Sequence, residues 1–389
     1  MSDRGYNVTY YILCVIALFV MMSTSLVIPL ISIFAKQVGA SGVTIGLVVA
    51  GYWISRIFLE IPSGFISQRL GYYRTMMMGI ALTIVGTVIC AFVTTPIQLT
   101  LARALMGLGA PLFFAVATTL VINLFTSESR GTALGMFQGI EFVGTIVGAT
   151  FSGYIVAAYN FKTSFLISAG LVCAALILIV VPRYVREESK RQVAAEPLSL
   201  SALREVLGNR DLLIVSSATF AEFIMSGGVL MTIFPLMANE ELGFSLTSIG
   251  LLMGCRSIGY VIAMFSMGRI SDRLGRRPVL QFGIAATAAL TLIMGMAKTF
   301  NSLAVIIFGI GISTGAIWIV SPVLAAESVK LNQRGAAIGT YRTFFDLGSI
   351  MGPIMMTYVM VAYGAMTCFY LASALLLVNL LPTTLLKKK

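Results

Sequence analysis

Gly64-Phe65-Ile66-Ser67-Gln68-Arg69-Leu70-Gly71, with Arg74 shortly after, returns 204 residues later as Gly268-Arg269-Ile270-Ser271-Asp272-Arg273-Leu274-Gly275-Arg276-Arg277. The same offset carries Gly46 to Gly250, Gly107 to Gly311 and Arg130-Gly131 to Arg334-Gly335. It also carries Gly135, Gly144 and Gly148 onto Gly339, Gly348 and Gly352. One spacing shared by so many glycines and arginines means that the chain is built twice.

Each copy is too apolar to be a water-soluble domain. The 389 residues are 58% hydrophobic and 11% charged, with a mean hydropathy of +0.96, far above globular composition. A membrane helix needs about 20 apolar residues, and twelve stretches qualify. They run over 9–34, 42–66, 74–95, 98–124, 132–158 and 162–182, then over 209–237, 245–267, 277–297, 301–326, 335–361 and 364–382. The short segments of alternating polarity that mark an outer-membrane barrel are absent. The pattern predicts an all-α membrane protein of twelve transmembrane helices in two pseudo-symmetric six-helix bundles. The bundles occupy 1–183 and 209–389, and a charge-rich linker over 184–208 joins them, partly helical along Ser199–Asn209.

Charge placement gives the expected orientation. Lys36, Lys162 and Lys298 are the basic residues of one set of loops, whereas the opposite loops, the linker and both ends hold most of the 26 Lys and Arg. Basic residues favour the cytoplasmic side, so both termini and the linker are expected there, with the chain in the cell (inner or plasma) membrane. The net charge of +11 then follows from topology and contact with anionic lipid, not from a nucleic-acid partner. The apolar run after Arg4 is long enough to be the first helix itself and not a cleavable signal. For the same reason the Asn7-Val8-Thr9 sequon is expected to stay unmodified on the cytoplasmic side.

Cys14, Cys90, Cys173, Cys255 and Cys368 lie in apolar segments without metal-site or redox spacing, and histidine is absent. Neither a metal nor a cofactor is expected, and a proton carrier has to be a carboxylate. The runs Gly107-Leu108-Gly109 and Gly309-Ile310-Gly311 sit inside membrane segments with no strand before them, which argues against a dinucleotide site. No phosphate loop or nucleophile-base constellation points to an enzyme.

The repeated blocks resemble the loop signature of the major facilitator superfamily, found between helices 2 and 3 and again between helices 8 and 9. The second copy matches well. In the first, Gln68 stands where an acid belongs and Tyr72-Tyr73 where a basic pair belongs, while Arg69, Gly71 and Arg74 remain. Gly71 and Gly275 allow a tight turn, and an acid near a helix N-terminus is favoured by about 0.3–1 kcal/mol. In the family this loop helps to hold the cytoplasmic side shut. Gly64, Gln68, Arg69 and Gly71, with Gly268, Asp272, Arg273, Gly275 and Arg276, are therefore the expected gating residues, the first copy being the weaker.

Two further stretches are similar to the drug/proton antiporter branch. Leu101-Ala102-Arg103 through Gly107-Leu108-Gly109 places an arginine and glycines in helix 4. Gly135, Gly144 and Gly148 in helix 5 follow the antiporter spacing, with Ala149 in place of the usual Pro. The helix 11 copy keeps that residue as Gly339, Gly348, Gly352-Pro353. Such glycines let helices approach closely and the proline bends its helix.

Eight ionisable residues lie inside the apolar segments: Arg56 and Glu60 in helix 2, Arg103 in 4, Glu141 in 5, Glu222 in 7, Arg256 in 8, Arg342 and Asp346 in 11. A charge at the bilayer centre costs at least about 2.5–3.5 kcal/mol, so such residues mark an internal cavity. Helices 3, 6, 9 and 12 carry none deep in their spans, as the resemblance implies for outer supports. Arg56/Glu60 and Arg342/Asp346 are spaced to pair along one face. Glu141, Glu222 and Asp346 fall roughly 15–20 Å deep. Removal from water favours a protonated carboxyl, so Glu222 and Glu141, with no basic neighbour on their own helices, are natural proton carriers unless Arg256 pairs with Glu222 permanently. Trp53, Tyr341 and Trp318 add aromatic surface for a bulky, partly apolar solute.

The expected function is proton-coupled efflux of an amphipathic small organic solute or drug by alternating access. A proton-coupled importer of an organic anion, held by Arg256 or Arg342, is the alternative. A receptor on the same fold comes third. The expected partners are a small-molecule substrate, protons and membrane lipid, with a monomer as the working unit.

Overall fold

The computed structural model describes residues 4–60, 62–126, 129–189, 206–330 and 333–386. Most of the linker, with most of the helix expected along Ser199–Asn209, lies outside the described residues. Among the described residues there are twelve helices long and apolar enough to cross a membrane: α1 Val8–Gln37, α2 Val43–Glu60, α3 Tyr72–Cys90, α4 Pro96–Leu124, α5 Thr132–Ala158, α6 Phe161–Val180, α7 Arg210–Glu240, α8 Leu246–Leu274, α9 Arg276–Met296, α10 Phe300–Glu327, α11 Ala336–Tyr363 and α12 Ala365–Thr383. Two differ from simple rods. Pro29 interrupts α1, which breaks into a 3₁₀ turn over Ile28–Leu30 before resuming. Beyond α2, Pro62–Leu70 is helical and covers the end of the expected 42–66 span. Finally, α7 widens into a π-helix over Ile224–Ile233. Gly227, Gly228 and Pro235 are the residues that loosen an α-helix there.

The chain falls into two compact units, Met1–Ala40 with Gly51–Ala195, and Ser41–Ala50 with Glu196–Lys389. In the first unit Leu13, Ile16 and Ala17 of α1 pack among Met76 and Ile80 of α3, Phe113 and Val116 of α4, Phe137 of α5 and Val172 of α6. Polar side chains in this core are spent on backbone groups: Tyr10 Oη donates to the Ala133 carbonyl at 2.8 Å and Ser168 Oγ to that of Ser23 at 3.0 Å. The second unit repeats the pairings, with α7 on α11, α9 on α10, and α12 on α9. Gly46 of α2 abuts the Pro353 carbonyl and the Thr357 side chain of α11.

Glycine contacts repeat at the sequence offset. A Cβ on Gly107 would meet the Tyr52 carbonyl, and one on Gly311 the Arg256 carbonyl, 204 residues on in both partners. Gly79 faces the Gly109 carbonyl as Gly283 faces that of Ser313. Thr95 and Thr299 cap α4 and α10 by accepting from Gln98 and Ser302. The tight turns expected at Gly71 and Gly275 have φ of 89° and 90°, a left-handed conformation that side chains resist. Of the antiporter-type glycines, Gly144 faces the Leu18 carbonyl, Gly148 that of Met22, Gly348 that of Phe220 and Gly352 that of Ile224. A Cβ on Gly135 or Gly339 would meet nothing within 4 Å, so helix contact does not account for those two.

Filling the tight contact at Gly311 should therefore cost stability where filling the open site at Gly339 does not. Gly311→Ala is expected to lower the unfolding free energy by about 1–3 kcal/mol, and Gly339→Ala to leave it unchanged or raise it by up to about 1 kcal/mol through helix propensity. Thermal unfolding of the two variants in lipid checks this, and equal midpoints would contradict it.

Candidate functional site

In the second unit a buried polar cluster spans α7, α8 and α11. Glu222 is the last residue but one of the α-helical part of α7 and is 4% exposed. Ser226 stands one turn later, inside the π-helix. Arg256, from the middle of α8, donates through Nη2 to Ser226 Oγ at 2.7 Å. Glu222 stands one turn before that serine on α7, in the electrostatic field of Arg256. Arg256 is thus tied to a serine one turn from Glu222, with no direct ion pair to that carboxylate among the described residues. Its Nε is buried without a hydrogen-bond partner among the described residues. Tyr260, one turn along α8, and Tyr341 on α11 both stand in the electrostatic field of Glu222.

Next to this cluster is an aromatic wall. Phe223, adjacent to Glu222, meets Phe345 edge-on with ring centroids 4.0 Å apart, and Trp318 of α10 completes the group at 5.6 Å from Phe345 and 5.8 Å from Phe223. Asp346 follows Phe345 and is fully buried, while Arg342 is partly buried one turn earlier. The expected site residues Glu222, Arg256 and Tyr341 are therefore brought together, and Trp318 and Asp346 lie in the adjoining layer of the same unit. Ser226 and Phe223 were missed, since a serine and a phenylalanine in an apolar helix carry no signal until the bundle is assembled.

The first unit arranges its charges differently. Arg56 Nε meets Glu60 Oε2 at 3.4 Å, the expected pairing along one helix face, and the guanidinium lies 5.2 Å from the Trp53 ring centre. Arg103 is 3% exposed, with its guanidinium 5.9 Å from the centre of the Tyr52 ring. Glu141, half-buried on α5, faces Cys14 of α1. At the repeat positions of Glu222, Ser226, Tyr341 and Asp346 the first unit has Leu18, Met22, Phe137 and Phe142. The polar cluster belongs to the second copy alone.

The loop motif shows a related asymmetry. Arg276 Nη2 meets Glu327 Oε1 at 3.1 Å and Asp272 Oδ1 at 3.9 Å, and Arg277 Nη1 donates to the Leu386 carbonyl at 3.1 Å. These residues, with Asp211 and Arg334, line a cavity of about 410 Å³. In the first copy the places of Arg276 and Glu327 are taken by Tyr72 and Asn123, and Asn123 Nδ2 donates to Tyr72 Oη at 3.3 Å. A neutral hydrogen bond stands where the second copy has an ion pair. Gln68, Arg69 and Gly64 are exposed and Gly268 is half-buried; the carbonyls of Gly64 and Gly268 accept from Ser67 and Ser271.

A model of the Major Facilitator Superfamily matches residues 13–228 and 223–389, so the chain belongs to that family of membrane transporters. It is 25% identical over 358 residues to multidrug resistance protein MdtH of Aeromonas hydrophila, covering 90% of this chain and 86% of that one. It is 23% identical over 356 residues to multidrug resistance protein 2 of Bacillus subtilis, covering 89% and 88%. Among solved structures, the nucleoside transporter NupG superposes with a TM-score of 0.79, covering 97% of this chain and 98% of that one, at 15% identity. That last likeness speaks to the fold alone. Family membership makes this an integral membrane transporter and not an enzyme.

The Arg276–Glu327 pair keeps about 30% exposure on each side chain, so screening by solvent limits its worth. A double-mutant cycle of Glu327→Gln with Arg276→Gln is expected to give a coupling of about 0.5–1 kcal/mol in unfolding free energy. Zero coupling would show that the pair contributes nothing to holding this end together.

Proposed function

We propose that this Major Facilitator Superfamily chain is a proton-coupled efflux carrier of amphipathic small organic solutes. One observation carries the reading. The Glu222–Ser226–Arg256 cluster is buried in the second copy, and the first copy builds the same helix pairings with Leu18 and Met22 at the positions of Glu222 and Ser226. The fold does not require the charges, whose insertion costs several kcal/mol, so their role lies elsewhere. Glu222 is the proton carrier. Phe223, Trp318 and Phe345 offer flat aromatic surface to a partly apolar solute beside it. Two relatives named for multidrug resistance support the efflux direction.

In this reading the ionised carboxylate belongs to the solute-loaded state. An external proton neutralises Glu222 as the solute leaves, the empty carrier returns, and the proton passes to the cytoplasm. Basic loops place both termini on the cytoplasmic side. The carrier works as a monomer in the cell membrane, exchanging solute for protons in contact with lipid. Arg256 favours a second reading, import of an organic anion with a proton, because its buried Nε can still donate.

Proteoliposomes with an internal pH dye separate the two. A lipophilic cation such as tetraphenylphosphonium, or an anionic naphthalene sulfonate, is added outside to wild type and to Glu222→Gln. Antiport predicts that protons move opposite to the solute and that the variant loses this response while staying folded. Protons moving with the anion would establish symport instead, and full proton-driven transport in Glu222→Gln would remove the carrier role from that residue.

A further inference from the structure

A buried glutamate closed directly onto an arginine is held in its ionised form, because the neutral form would leave the cation buried alone. Such a glutamate cannot carry protons. Here the cation is near enough to act on Glu222, yet its contact is with Ser226 at 2.7 Å. A hydroxyl that accepts from a guanidinium has its single proton left to donate, and Ser226 stands one turn along α7 from Glu222. Since Arg256 Nε has no hydrogen-bond partner, the bond to Ser226 is the polar tie that holds the guanidinium. The π-helix beginning at Ile224 carries this serine, one turn beyond Glu222.

We propose that Ser226 is a positioning residue, a spacer that holds Arg256 off Glu222 so that the carboxylate remains able to take and release a proton. The inference rests on the reading of Glu222 as the proton carrier. The other titratable groups facing Glu222 are Tyr260 of α8 and Tyr341 of α11. Arg342 and Asp346 share α11, α10 carries its one charged residue at its far end, as Glu327, and α12 has none. Arg256 is therefore the cation that dominates the balance. Without the hydroxyl, the arginine loses its polar tie and is drawn to the carboxylate. Losing a donor alone would push Glu222 the other way, toward the protonated form. The sign of the change tells a spacer from a mere hydrogen-bond donor.

The test is infrared difference spectroscopy of the full chain in lipid nanodiscs, following the protonated-carboxyl band that Glu222→Gln removes. In Ser226→Ala the midpoint of that band is expected to fall by about one pH unit or more. Ser226→Thr, which keeps the hydroxyl, is expected to titrate as wild type does. Placed on Arg256→Gln, where no cation can collapse, Ser226→Ala should produce no fall. A midpoint unchanged or raised in Ser226→Ala overturns the proposal. So does a threonine variant that behaves like alanine, or a wild type in which no Glu222-dependent band titrates while the protein is folded. Spacer behaviour in the spectra together with full proton-driven transport in Glu222→Gln would keep the spacer and discard the carrier.

Discussion

Close approach of helix backbones, with no side chain between them, is the constraint on which the rest of this structure depends. Gly107 lies on the Tyr52 carbonyl and Gly311 on that of Arg256, and each contact excludes even a methyl group. In a bilayer, helices gain little by hiding apolar surface from one another, since lipid is as apolar as leucine. Association falls to packing and polar contacts, and small residues let it happen. The second contact does more than join α8 to α10. It fixes the backbone of the residue whose guanidinium reaches Ser226, so the position of the buried cation is set by a glycine 55 residues further on.

Because the chain is duplicated, each half serves as a control for the other. Features at both ends of the 204-residue offset belong to the fold: the capping threonines, the left-handed glycines of the α2–α3 and α8–α9 turns, and the glycine seats on α2 and α8. What appears once needs another account. Tyr72 with Asn123 and Arg276 with Glu327 are the same two places filled by a neutral and an ionic pair. Both geometries close the helix ends, so the fold is indifferent to the charge. The ionic version responds to salt and to neighbouring charges, and the neutral one scarcely does.

The sequence made the architecture legible because membrane spans are long and the offset is constant. Charges inside apolar helices were equally plain, and depth counting from the helix ends grouped Glu222 and Arg256. Their connection was not readable. Helical spacing reports neighbours on one helix, as with Arg56 and Glu60, and says nothing of a serine interposed between two helices. The sequence left a lone Glu222 and a permanent pair with Arg256 as alternatives. The π-helix was hidden for a different reason: Gly227, Gly228 and Pro235 weaken an α-helix without stating what replaces it. Nor could the missing charge at Gln68 show that Tyr72 and Asn123 had substituted a hydrogen bond at the neighbouring place.

The π-helix and the buried charges explain one another. A wide turn is less favourable than an α-helical one and survives where it sets up a contact that the α-form would lose. Thr232 Oγ1 donates back five residues to the Gly227 carbonyl at 2.7 Å, and the Phe234 N–H reaches the Val229 carbonyl, so the wider register is bonded throughout. Gly228 sits on the Gly352 carbonyl beside the α11 bend at Pro353, which fixes the rotation of α7 against α11. With that rotation fixed, Ser226 is presented to Arg256 while Glu222, one turn back in α-helical geometry, keeps its place near Tyr341. Local weakness in α7, close packing at α11 and one serine hydroxyl together hold two opposite charges near each other without closing them. The first copy, with Met22 at the place of Ser226 and Leu18 at that of Glu222, stays α-helical to Ser25 and then breaks into the 3₁₀ turn of Ile28–Leu30, within the stretch that corresponds to the π-helix.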